Sequence, residues 1–91
     1  KMKYIVKNAE RNAAQIAGIE PYDPNMKDDY IDDYIEADSE DEAIELAIDY
    51  IIEHTDYREA ERSGRGIIFY EDGEPVLEFY GFRATVYNGQ C

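Results

Sequence analysis

Residues 28–56 read DDYIDDYIEADSEDEAIELAIDYIIEHTD, and this stretch decides the fold. It carries thirteen acidic side chains, from Asp28 to Asp56, and no Lys or Arg. It also holds Ile31, Ile35, Ile44, Leu46, Ile48, Ile51 and Ile52, so it must supply a wall of the hydrophobic core. Ser39-Glu40-Asp41-Glu42 has the form of a capping box, a hydroxyl at the N-cap with a carboxylate three residues on. A helix therefore starts after Ser39, and whatever precedes it ends there. Before that boundary, Tyr30–Ala37 fits either a helical stripe or a strand. The strand reading turns Ile31, Ile35 and Ala37 inward and Tyr30, Tyr34 and Glu36 outward, and the boundary at Ser39 favours it. After the boundary, Ala43, Ile44, Ala47, Ile48, Ile51 and Ile52 form the buried stripe of a helix over Glu40–Glu53, with Leu46 and Tyr50 beside it. Glu40, Asp41 and Glu42 suit the positive end of its dipole, and His54 suits the other.

Toward the N-terminus, Lys1–Asn8 alternates as a strand, with Met2, Tyr4 and Val6 on one side and Lys3, Ile5 and Lys7 on the other. Asn8 can cap a short helix that buries Ala9, Ala13, Ile16 and Ala17 and ends at a left-handed Gly18. Glu20 to Asn25, with Pro21 and Pro24, reads as an extended loop. Toward the C-terminus, Thr55 or Asp56 can cap a further helical piece, Tyr57 to Arg62, ended by Ser63 and Gly64. Ile67–Tyr70 and Val76–Tyr80 flank Asp72-Gly73, the signature of a type I′ hairpin. Pairing outward from that turn sets Phe69 opposite Val76 and Ile68 opposite Leu77. The apolar phase changes from Leu77 and Phe79 to Phe82, Ala84 and Val86, so a β-bulge is expected at Gly81. The expected fold is α+β: a small two-layer sandwich in which one main helix, Glu40–Glu53, packs across a mostly antiparallel sheet of about four strands.

Ninety-one residues build a single domain, 1–91, since this length cannot supply a second core. A hydrophobic fraction of 44% is that of a folded protein, despite the charge. Net charge −13 argues against direct contact with nucleic acid or anionic membrane, both of which require basic residues. It suits a basic protein surface as partner. The single cysteine, Cys91, can form no internal disulfide, no apolar run reaches the length of a membrane span, and no leader pattern opens the chain. A cytoplasmic location is the expectation.

No catalytic or cofactor-binding pattern emerges. Asp23, Asn25, Asp29 and Asp32 approach the spacing of a calcium loop, but the sixth position from Asp23 is Asp28 rather than Gly and the twelfth is Tyr34 rather than Glu. One His and one Cys do not make a zinc site. Ser39 and Ser63 occupy a cap and a turn, and Gly64-Arg65-Gly66 lacks the spacing of a phosphate loop. The expectation is no enzyme, no metal and no cofactor.

What remains is surface chemistry. Asp41, Glu45, Asp49 and Glu53 recur every four residues, about 6 Å apart along the helix axis, and Asp38 extends them. That spacing is of the order of neighbouring phosphates on a nucleic-acid strand. In size, charge and carboxylate spacing the chain resembles the nucleic-acid mimics carried by phages and mobile elements, such as anti-restriction and anti-CRISPR proteins. The resemblance implies a non-enzymatic acidic domain that inhibits a nucleic-acid-handling protein by occupying its basic groove. The plainer alternative is a solvated helix face. Nine tyrosines and no tryptophan suggest a second surface. Tyr70, Tyr80 and Tyr87 on an outer sheet face would suit a structural or regulatory accessory domain that binds a partner or forms a homodimer.

Overall fold

The computed structural model describes residues 1–11, 14–25 and 31–82. It contains β1 (Met2–Arg11), β2 (Ala14–Pro21), β3 (Ile31–Ala37), α1 (Glu40–His54), β4 (Glu59–Ser63), β5 (Gly66–Glu71) and β6 (Glu74–Phe82). The domain is α+β: one helix packs against one face of a six-stranded sheet of order β3-β1-β2-β6-β5-β4. Two strands more than expected are present. The sheet is mixed: four of its five strand pairings are antiparallel, and β2 and β6 pair in parallel and join the two halves.

Both extra strands replace expected helices. Asn8 caps nothing: it pairs with Ala17, and Gly18 stands opposite Lys7 in the antiparallel β1–β2 ladder. The residues expected to form a helix from Asn8 to Gly18 carry too small an apolar face to hold one. As β2 they bury Ile16, Ala17 and Ile19 between two neighbouring strands. Pro21 belongs to the end of β2 rather than to a loop, and the Tyr22 N–H still donates to the Lys3 carbonyl at 2.9 Å. The expected helical piece Tyr57–Arg62 is instead largely β4, which pairs antiparallel with β5. Gly64 at φ +58° opens the two-residue loop between them, the position where a tight hairpin of the II′ kind needs glycine.

The expected boundary at Ser39 is present. Its side chain accepts from the Glu42 N–H at 3.2 Å, and the Ala43 N–H bonds the Ser39 carbonyl at 3.0 Å. The Glu42 carboxylate reaches back one residue past the cap, to the Asp38 N–H at 3.4 Å. Asp72 and Gly73 both have positive φ, 52° and 80°, as a type I′ turn requires. The register next to the turn pairs Tyr70 with Pro75. An irregularity then sets Phe69 opposite Leu77 and Ile68 opposite Glu78, one residue on from the expected pairing. The slip keeps Phe69, Leu77, Ile67 and Phe79 on one face. Gly81, at φ +71°, marks a second irregularity. Against β2, three residues of β6 span the distance of two between Ala17 and Ile19, and Phe82 returns to the core side. Residues 83–91, with Ala84, Val86 and Tyr87, lie outside the described residues.

The core lies between sheet and helix. Tyr4, Val6, Ala17, Ile19, Ile35, Ala37, Ile67, Phe69, Leu77 and Phe79 meet Ala43, Ile44, Ala47, Ile48 and Ile51 of α1. Ala37, Ala43 and Ala47 have no accessible surface, and such small residues let helix and sheet approach closely. α1 packs against the edge strand β3 and the middle strands β2 and β6. Its first turn neighbours Glu20, Pro21 and Phe82, and its last turn neighbours Asn8, Gln15 and Leu77. Ile5 and Ile16, which the alternation turns to the far face, are buried as well.

Candidate functional site

The outward face of α1 is the candidate site. At about 100° per residue, Asp49 marks its middle, with Glu42, Glu45 and Glu53 within about 40° of it and Asp41 about 80° to one side. All five are exposed. Leu46 and Ile52 flank the centre at about 60° on either side, and they are 38% and 42% exposed. Ile52 was expected in the buried stripe. The face it joins instead is acidic at its centre and apolar at both margins.

The four carboxylates at i, i+4 spacing are not equivalent. Arg62 of β4 meets Glu45 at 3.2 Å. Arg65, in the β4–β5 loop, reaches Glu40 at 3.4 Å and Asp41 at 3.5 Å, and its guanidinium also lies over the Phe82 ring, 5.4 Å from the centroid. Asp49 and Glu53 have no ion-pair partner among the described residues. Helix residues alone did not reveal this division, because both arginines arrive from a hairpin that the sequence presented as a short helix and a loop. These pairs are exposed, so each is worth little and remains open to exchange with another cation. Five carboxylates on this face against two arginines, one of them shared with Glu40, leave it strongly negative. Asp38 is exposed just before the cap, continuing the acidic surface past the N-terminus of the helix. Asp28 and Asp29 lie outside the described residues.

The second candidate surface is the sheet face turned away from α1. Tyr80 is 47% exposed, and its hydroxyl bonds the Glu78 carboxylate two residues earlier on the same face. Tyr70, half-buried on β5, shares that face in the neighbouring strand. Tyr34 is 43% exposed on β3, at the far edge of the sheet. It packs edge-on against Tyr22, with centroids 5.5 Å apart, and Lys3 Nζ lies 4.3 Å above its ring. The tyrosines therefore form two groups, Tyr34 with Tyr22 beside β3 and β1 and Tyr70 with Tyr80 on β5 and β6, and Tyr87 lies outside the described residues. Between them, Lys7 pairs with Glu20 at 3.1 Å.

Among the described residues, no group of three or more His, Cys, Asp or Glu side chains is arranged to hold a metal ion. No helix among them is long and apolar enough to cross a membrane. Comparison of the chain with protein-family models, with curated proteins and with solved structures finds no match.

Proposed function

We propose that this protein is a non-enzymatic acidic binding domain that engages a basic protein surface through the outward face of α1. Its most concrete form is nucleic-acid mimicry, the occupation of the basic groove of a nucleic-acid-handling protein. The observation that carries the reading is the pair Asp49 and Glu53, exposed at the centre and end of the helix face with no ion-pair partner among the described residues. Leu46 and Ile52 support a protein partner over diffuse counterions, since they offer apolar contact next to the charge.

The test begins with affinity capture from the source cell at low and high salt, followed by binding kinetics with the captured partner. Charge-steered association slows steeply as salt rises. Changing Asp41 and Asp49 to Asn, and Glu45 and Glu53 to Gln, keeps the shape and removes four charges. The expected result is a loss of orders of magnitude in affinity at low salt, mostly through slower association. Unchanged binding by the folded quadruple variant refutes the reading. A second reading, a structural or regulatory accessory domain that binds or dimerises through its tyrosines, is favoured by the exposure of Tyr80 beside Tyr70. It predicts binding that is indifferent to salt and lost on Tyr80→Ala.

A further inference from the structure

The strands of β1 and β2 outrun the helix that covers them. A 15-residue helix spans about 22 Å and a 10-residue strand about 33 Å. α1 ends at His54 while β1 continues from Asn8 to Arg11. Where the helix stops, a cavity of about 230 Å³ opens between its last turn and the sheet. Val6, Ala17, Ile51 and Leu77 supply apolar wall, and Asn8, Gln15, Thr55 and the stacked Tyr50–His54 rings supply the polar groups, with the Thr55 hydroxyl already donating to the Ile51 carbonyl. An apolar cavity of about 150 Å³ already holds a benzene ring, so this one has room for a small aromatic body with a short side chain.

The polar groups have a common sense. Asn8 faces the helix side of β1, in phase with Tyr4 and Val6, and its Oδ1 is buried with no hydrogen-bond partner among the described residues. An unpaired buried acceptor is costly and asks for a donor. His54 Nδ1 lies 2.8 Å from the Tyr50 carbonyl. A carbonyl only accepts, so in the neutral ring Nδ1 carries the hydrogen and Nε2 is left as an acceptor. The last turn of α1 adds the negative end of the helix dipole, within a chain of net charge −13. Cavity size, the unpaired Asn8 acceptor and the local field select the same chemistry.

We propose that this cavity binds a small organic cation with an apolar body, of the arylalkylammonium class, its ammonium donating to Asn8 and its ring lying among Ala17, Ile51 and Leu77. The site is separate from the outward face of α1, and neither proposal depends on the other. The test is titration of the full, isotopically labelled chain with 2-phenylethylammonium, followed by amide correlation spectra. About 0.5 M NaCl is present to screen attraction to the exposed acids. The anion 3-phenylpropionate, alike in shape, is titrated in parallel. The expected result is a saturable set of shifts centred on Asn8, Ala17, Ile51 and Leu77 with the cation and none with the anion. Asn8→Leu removes the acceptor at similar size and should weaken binding about tenfold, the worth of one charge-assisted hydrogen bond. Three results overturn the proposal: shifts confined to the outward face of α1, equal binding of cation and anion, or no saturable shift at millimolar probe. The cation–anion comparison uses the native chain, so it decides the matter even if Asn8→Leu fails to fold.

Discussion

Replacing Asp49 by Asn and Glu53 by Gln should make this protein more stable. Asp49 stands one helical step from both Glu45 and Glu53. Like charges at that spacing cost about 0.2–0.5 kcal/mol per pair, so Asp49→Asn relieves about 0.4–1 kcal/mol. Glu53 lies in the last turn, where the dipole disfavours a carboxylate by about 0.3–1 kcal/mol. Helix propensity hardly changes in either exchange. The sum is about 0.7–2 kcal/mol, a rise in Tm of roughly 3–16 °C for a domain of this size. The matched pair, Asp41→Asn with Glu45→Gln, removes the same charge with a different result. It relieves similar repulsion but loses Asp41 from the favourable first turn and the contacts to Arg65 and Arg62. Those losses are about 0.3–1 kcal/mol for the dipole and about 0.2–1 for each exposed pair, so Tm should stay level or fall. Thermal melts by circular dichroism at low salt compare the two double variants directly. Equal stabilisation of both would refute the reasoning, because only net charge would then matter and the arginines would be irrelevant. The expected split would mean that Asp49 and Glu53 are kept at a cost to the fold, as acids retained for a partner are.

Two further outcomes check the frame that positions this face. Ser39→Ala should cost about 1 kcal/mol in urea unfolding by removing the acceptor for the Glu42 N–H; no change would mean that the Glu42–Asp38 contact suffices to start the helix. Gly81→Ala should cost more than about 1 kcal/mol, the penalty for a left-handed alanine, because its Cβ would also lie 2.8 Å from the Arg65 carbonyl oxygen. An unchanged midpoint would show that the bulge in β6 is not held as described.

The helix was legible in the sequence because its signals are local. Ser39 satisfies an N–H three residues away, the apolar stripe repeats within one element, and Asp72-Gly73 turns the chain on its own. The acidic character of the outward face follows from the same periodicity. Ile52 shows the limit of that reading, since periodicity places a residue on a flank without saying whether the neighbouring sheet reaches it.

The sheet was decided by partners distant in the chain. Residues 14–17 and 59–62 favour no strand by composition. They become strand because β2 is flanked by β1 and β6, and because β4 completes a hairpin with β5. The parallel pairing of β2 with β6 joins residues about sixty positions apart, and no nearby residue announces it. The same long-range pairing decided the candidate site. The i, i+4 spacing put four carboxylates in a row, but the β4–β5 hairpin brought Arg62 and Arg65 to two of them, and among the described residues Asp49 and Glu53 have no ion-pair partner. Capping and periodicity act within a few residues, whereas a strand's backbone bonds and a surface charge's partners come from whichever segments the core brings alongside.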